Sequence, residues 1–184
     1  MKTIAITGHT GGLGSALTHD LNDAFTVKGF SSSTGVDLTT LEGKQMVIDE
    51  MDECDVLINN AFVPDGHTTN LLQKAIQVWQ GNKEKMIVHI GSDIVNYNPE
   101  VIPPDMQKYQ QEKLAQHRLV RTAQWDPESV PIVNVLLGAM DTPAASAYDG
   151  AKLDTQYVAM LITETILYWP KLHVRELLVM PPEL

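Results

Sequence analysis

Thr7-Gly8-His9-Thr10-Gly11-Gly12-Leu13-Gly14 is the stretch that decides how this chain is read. It follows directly on a short apolar strand, residues 2–7 (Lys-Thr-Ile-Ala-Ile-Thr), and opens a helix expected over residues 12–23. Gly8 permits a tight turn, Gly12 lets backbone approach a pyrophosphate, and Gly14 lets helix and strand lie close together. The free N–H groups and positive dipole end of the helix start then favour an anion. Taken alone, a Gly-rich stretch can be only a turn. Its position between a strand and a helix is what gives it a binding meaning.

Outward from this motif, strands and helices alternate. Residues 25–30 (Phe-Thr-Val-Lys-Gly-Phe) read as a strand, and Val36-Asp37-Leu38 as a brief third one. A helix over 40–53 precedes the strand Asp55 to Asn59, and a helix over 67–81 precedes the strand 86–91. The pair Pro103-Pro104 starts a long helix over 104–124. A strand over 131–137, a helix over 151–168 and a closing strand Val174 to Met180 complete the chain. The strands are mostly continuous apolar runs, the pattern of strands buried on both faces. Alternation with helices predicts a doubly wound parallel α/β sheet of about seven strands, Rossmann-like, with helices on both faces. Residues 1–184 are expected to form one such domain.

Composition fits this picture. The 184 residues are 43% hydrophobic and 20% charged, and 13 Lys+Arg against 23 Asp+Glu give a net charge of −10. That balance argues against nucleic-acid or anionic membrane partners. The single cysteine, Cys54, allows no intrachain disulfide. No run reaches the length of a spanning helix and no leader segment is evident, so a cytoplasmic protein is expected. The six histidines show no ligand spacing, and no metal is expected.

The spacing Thr7-Gly8-x-x-x-Gly12-Leu13-Gly14 resembles that of the short-chain dehydrogenases/reductases, and further matches follow in order. Asn59-Asn60-Ala61 resembles that family's Asn-Asn-Ala-Gly turn, with Phe62 in place of the glycine. Ser92 follows the strand 86–91, at the family's catalytic serine. Tyr109-x-x-x-Lys113 supplies its tyrosine and lysine on one helix face. A second such pair, Tyr148 and Lys152, falls after the strand 131–137, outside the catalytic helix. Leu137-Gly138-Ala139-Met140-Asp141-Thr142 resembles the Pro-Gly segment, with Leu137 for the proline. The residues themselves leave plainer readings open: a polar turn at Asn59-Asn60 and a helix cap at Ser92.

The resemblance implies an NAD(P)-dependent oxidoreductase that moves hydride between nicotinamide and a small carbonyl or alcohol substrate. Ser92, Tyr109 and Lys113 are the implied catalytic residues. Lys113 and an oxidised nicotinamide are expected to lower the Tyr109 pKa. Gly8, Thr10, Gly12, Leu13 and Gly14 are implied to hold the pyrophosphate side of the cofactor. Asn60 and Ala61 are implied beside the adenosine ribose, Asp37 and Leu38 against the adenine, and Gly138 and Thr142 at the carboxamide. Tyr109 and Lys113 are also cofactor-binding residues, Lys113 through the nicotinamide ribose. The strand 25–30 ends in Ser31-Ser32-Ser33 without a carboxylate, so Ser31, Ser32 and nearby Lys28 suggest NADP, with NAD possible. Asn70 is the nearest candidate for a relay asparagine, against its plain reading as a helix-surface residue. The loop Pro143–Tyr148 is expected to wall the substrate pocket, and its small apolar residues suggest an uncharged substrate.

By analogy a homo-oligomer, dimer or tetramer, is expected through the helices at 67–81 and 104–124. The alternatives are a non-catalytic dinucleotide-binding sensor or interaction protein, or an epimerase or dehydratase on a related fold. Members of the family are typically considerably longer. The shortening falls at Ser31–Gly35, where a crossover helix is usual, and in the 33 positions from Asn59 to Ser92.

Overall fold

The computed structural model describes residues 1–169 and 171–182. Six strands, β1 (Thr3–Thr7), β2 (Thr26–Phe30), β3 (Val56–Asn59), β4 (Met86–Ile90), β5 (Ile132–Leu137) and β6 (Glu176–Val179), form one sheet in the order β2-β1-β3-β4-β5-β6. Every neighbouring pair is parallel. The expected doubly wound parallel α/β architecture is therefore present, with six strands rather than about seven.

The helices are α1 (Gly12–Leu21), α2 (Leu41–Met51), α3 (His67–Val78), α4 (Pro104–Trp125) and α5 (Thr155–Tyr168). Helices α1 and α5 cover one face of the sheet, burying Ile4, Ile6, Val56, Ile58, Val88 and Val135. Helices α2, α3 and α4 cover the other, over Ala5, Leu57, Ile87 and Ile132. Strand β3 lies on the opposite side of β1 from β2, so the winding reverses between β1 and β3. The crevice beyond their carboxyl ends is where ligands bind in such sheets. Among the described residues, no helix is long and apolar enough to cross a membrane.

Two boundaries differ from expectation for identifiable reasons. Val36-Asp37-Leu38 is not a strand. Only Ser31 to Gly35 separates it from β2, whereas a parallel neighbour needs a crossover of a dozen or more residues. The segment instead follows a 3-10 turn at Ser32–Thr34, with Val36 N–H donating to the Ser31 carbonyl at 2.9 Å. Val36 and Leu38 are apolar because they are buried beneath α2. Helix α5 begins at Thr155, not 151, because Leu153 pairs back with Met140 in an isolated bridge. Asp154 then caps the helix, accepting from Gln156 N–H at 2.7 Å.

Candidate active site

The Gly-rich turn is built by its contacts with β3. Gly8 has φ +70°, a conformation that disfavours any side chain. A Cβ at Gly14 would collide with the Gly8 carbonyl, which holds α1 tight against the turn. The Asn60 amide donates to the Thr7 carbonyl at 2.9 Å, and the Thr7 hydroxyl accepts from the N–H groups of Asn60 and Ala61, each at 3.0 Å. Asn60 and Ala61 therefore brace the turn. No side chain caps the start of α1, which leaves its first N–H groups facing the crevice. The Leu13 side chain lies in the core, so only its backbone is left on the crevice side of α1 to meet a ligand. Thr142 lies against Gly12, while Gly138 donates to the Val179 carbonyl at 2.9 Å and anchors β5 to β6.

At the end of β2, hydroxyls gather beside the turn. Thr10 Oγ1 lies 3.2 Å from Ser31 Oγ and 2.9 Å from Ser33 Oγ. Ser32 is exposed next to them and makes no part of this cluster. Lys28 does not join: it is held by Glu50 at 2.8 Å and Glu53 at 3.1 Å, and both raise its pKa. The Asp37 carboxylate accepts from the Thr39 N–H and hydroxyl, each at 2.8 Å, which lowers its pKa and closes a local turn. Leu38 is buried in the core beneath α2. Asn70 lies exposed on α3, the plain reading.

Ser92, Tyr109 and Lys113 come together where β4 ends against α4. Ser92 heads the 3-10 turn Asp93–Asn96, accepting from Ile94 N–H at 3.3 Å, so the plain reading as a cap holds. Its hydroxyl also faces the Tyr109 phenol and favours ionisation. Burial outweighs that effect, however, and with the Asp93 charge it pushes the Tyr109 pKa up. The expected lowering by Lys113 is not found. Lys113 is 4% exposed and donates to the Ile90 carbonyl at 3.1 Å. Burial brings its own pKa down to about 8, opposed by Glu112.

Several further residues shape this site, and of these only Phe62 stands out in the sequence, as a departure from a motif. Phe62 meets the Tyr109 ring edge to face at 5.0 Å, and the Lys113 ammonium lies 4.9 Å from the Phe62 ring centroid. Such cation–ring contacts contribute about 0.5–2 kcal/mol. The Gln110 amide donates to the carbonyls of Ile94 at 3.0 Å and Tyr97 at 2.8 Å, fixing the Ser92 loop to α4. Asp93 sits beside Tyr97, and burial raises its carboxyl pKa. Beneath α4, Asn59 Nδ2 lies 3.1 Å from His89 Nδ1, and Asn134 Nδ2 lies 3.0 Å from His117 Nδ1. A cleft of about 460 Å³ is lined by Asp141, Ser146, Tyr148, Asp149, Gly150, Lys152 and Asp154. Its wall is charged rather than apolar, and Ser92, Tyr109 and Lys113 do not line it. Among the described residues, no cluster of three or more His, Cys, Asp and Glu side chains could hold a metal ion.

No protein-family model matches the sequence, and no curated protein matches it either. Solved structures do match. A short-chain dehydrogenase from Burkholderia cenocepacia in complex with NADP superposes with a TM-score of 0.73 at 19% identity, covering 97% of this chain and 87% of that one. An alcohol dehydrogenase from the archaeon Thermococcus sibiricus, complexed with 5-hydroxy-NADP, gives 0.71 at 19% identity and covers 100% of both chains. The 3-alpha-hydroxysteroid dehydrogenase of a Pseudomonas species, complexed with NADH, gives 0.66 at 20% identity over 97% of this chain and 95% of that one. The chain thus has the fold of the short-chain dehydrogenases/reductases.

Proposed function

We propose that this protein is an NAD(P)-dependent oxidoreductase of the short-chain dehydrogenase/reductase type, acting on a carbonyl or alcohol group of a small molecule. The observation that carries the reading is the convergence of Ser92, Tyr109 and buried Lys113 at one end of the sheet, beside the Gly-rich crevice. The residues fit a dinucleotide. An uncapped helix start faces the crevice, a glycine sits where a Cβ would collide, and hydroxyls of Thr10, Ser31 and Ser33 stand at the end of β2. Those hydroxyls support NADP as the preferred form, with NAD possible, and Lys28 takes no part.

The bound dinucleotide would supply or accept the hydride. Ser92 would donate a hydrogen bond to the substrate oxygen and fix its place. Tyr109 would exchange the proton with that oxygen. Burial raises its pKa, so the phenol is in the protonated form that would donate to a carbonyl oxygen, while the reverse reaction would need its phenolate. Lys113 remains mostly ammonium at pH 7, with a pKa of about 8, and would hold ribose hydroxyls. The homo-oligomer belongs to the same reading. Exposed apolar side chains are concentrated on α5, at Tyr157, Met160, Leu161 and Leu167, rather than on α3 and α4.

Binding of NADPH and NADH to the purified chain, followed by turnover on a carbonyl panel with Tyr109→Phe as control, tests the proposal. The variant should bind the cofactor normally and lose about 100-fold or more in turnover. Full turnover by Tyr109→Phe would remove the proton chemistry. Binding without turnover on any substrate would favour the non-catalytic reading.

A further inference from the structure

The loop between β3 and α3 places an aromatic ring directly on the two groups that the proposed chemistry needs. Phe62 lies edge to face with Tyr109 at 5.0 Å and within 4.9 Å of the Lys113 ammonium. The Lys113 hydrogen bond to the Ile90 carbonyl points inward, so the rest of the ammonium is left beneath that ring. The side chain of Lys113 is 4% exposed, whereas Phe62 is 36% exposed. The ring is therefore the outer cover and the lysine is the covered group.

The backbone around Phe62 is fastened on both sides. Asn60 and Ala61 N–H groups donate to the Thr7 hydroxyl, each at 3.0 Å, and Val63 N–H donates to the Thr68 hydroxyl at 2.7 Å. Asp65 N–H donates to the Glu112 carboxylate at 3.0 Å, and the Asp65 carboxylate pairs with Lys108 at 2.6 Å. With the loop held at these points, the freedom that remains is rotation of the ring itself. The ring is partly exposed and belongs to neither apolar core, so swinging it outward leaves no hole in the core.

We propose that Phe62 is a latch whose ring closes over Lys113 and Tyr109 and swings aside to admit a dinucleotide's ribose. The inference rests on the reading of this crevice as a nicotinamide site. Closed, the ring keeps water from the phenol and the ammonium. Open, it frees the Lys113 N–H groups for ribose hydroxyls. Apparent cofactor affinity is then reduced by the fraction of time the latch is open. Phe62 is a positioning residue in this scheme and does not take part in proton transfer.

The test measures NADPH affinity by nicotinamide fluorescence on the full chain, with Phe62→Ala, Phe62→Leu and Phe62→Tyr. Removing the ring should tighten binding about tenfold, if the open form is about a tenth of the population. Phe62→Leu should tighten it in the same direction and guards against a folding defect in the alanine variant. Phe62→Tyr should bind like the parent. Without cofactor, phenolate absorbance compared with matched Tyr109→Phe proteins should show Tyr109 ionising at lower pH in Phe62→Ala. Equal or weaker binding by both ring-less variants, with the parent binding normally, would overturn the latch and leave the cofactor reading intact. Absence of binding in every protein would sink both.

Discussion

Replacing Lys113 by methionine probes a charge held in the interior against its preference. Its pKa falls from the ordinary 10.5 to about 8 because burial penalises the ammonium. At 1.36 kcal/mol for each tenfold change in proton affinity, the charged form destabilises the folded state by about 3 kcal/mol. The folded pKa lies below the unfolded one, which fixes the sign. Below pH 8 both states hold the proton and the whole penalty is present. Between about pH 8 and 10.5 the unfolded chain holds more protons than the folded one, so stability rises with pH. Methionine keeps a long apolar stem and has no charge, so its stability lacks this rise. The substitution also leaves the Ile90 carbonyl without its 3.1 Å donor, at about 1–3 kcal/mol, but that loss is nearly the same at both pH values. The stability difference between variant and parent should therefore shift by about 3 kcal/mol against the variant from pH 7 to about pH 10.5. Urea unfolding at the two pH values measures it. A Tyr109→Phe background removes the nearby phenol, which titrates in the same range. A difference that does not change with pH would refute the claim that Lys113 is desolvated.

Two further outcomes follow from other parts of the fold. Gly14→Ala should destabilise the chain by about 1–3 kcal/mol and abolish dinucleotide binding, since its Cβ meets the Gly8 carbonyl and lies 2.8 Å from Asn60 Nδ2; normal NADPH affinity in this variant would count against the crevice. His89 is buried and neutral, its pKa held well below 6.5 by burial and by the charges of Lys113 and His117. As pH falls below about 6.5, the unfolded chain takes up a proton that the folded chain refuses, and stability should drop by about 1.4 kcal/mol per pH unit. The lowered carboxylates of Asp37, Asp65 and Asp126 act mainly below about pH 5, and the raised Asp93 carboxyl acts with the opposite sign. The histidine share is therefore the difference between parent and His89 variant in thermal unfolding from about pH 6.5 to 5. His89→Asn should flatten that slope, leaving only the smaller share of partly buried His117. An unchanged slope would exclude His89 as its source.

What could be read from the chain beforehand was local. The Gly-rich turn, the strand before it and the helix after it are specified by neighbours in sequence, and all three stand where expected. Tyr109 and Lys113 share a helix face by spacing alone. The reading failed where a distant partner decides the outcome. Val36-Asp37-Leu38 has strand-like residues but too short a connection to reach a place in the sheet. The last helix starts at Thr155 rather than at 151 because Leu153 is claimed by Met140. Lys28 stood beside the serines in sequence, yet Glu50 and Glu53 hold it elsewhere. Phe62 was visible only as a departure from a motif; its contact with Tyr109 and Lys113 depends on the packing of a loop against α4.

The least legible feature is also the one that ties the fold to the site. On the α4 side of the sheet, Leu57, Ile87 and Ile132 stand side by side across β3, β4 and β5. One repeat further along each strand, the same face carries Asn59, His89 and Asn134, followed by Glu176 on β6. The opposing surface of α4 buries Gln110, Lys113 and Gln116 in its first two-thirds, and apolar Val120 and Ala123 only nearer its end. Several of these polar atoms, among them His89 Nε2, Asn134 Oδ1 and both polar atoms of Gln116, have no hydrogen-bond partner among the described residues. An apolar layer here would be easier to stabilise, since each unpaired buried polar group costs about 1–3 kcal/mol. An apolar layer would, however, raise the desolvation cost of the Lys113 ammonium that borders it, because dipoles can orient towards a charge and methyl groups cannot. The sheet therefore changes character, from apolar to polar, one strand repeat before the end at which Ser92, Tyr109 and Lys113 meet. Stability is given up at the level where the Lys113 charge is buried, the kind of conflict between packing and electrostatics that clusters at functional sites.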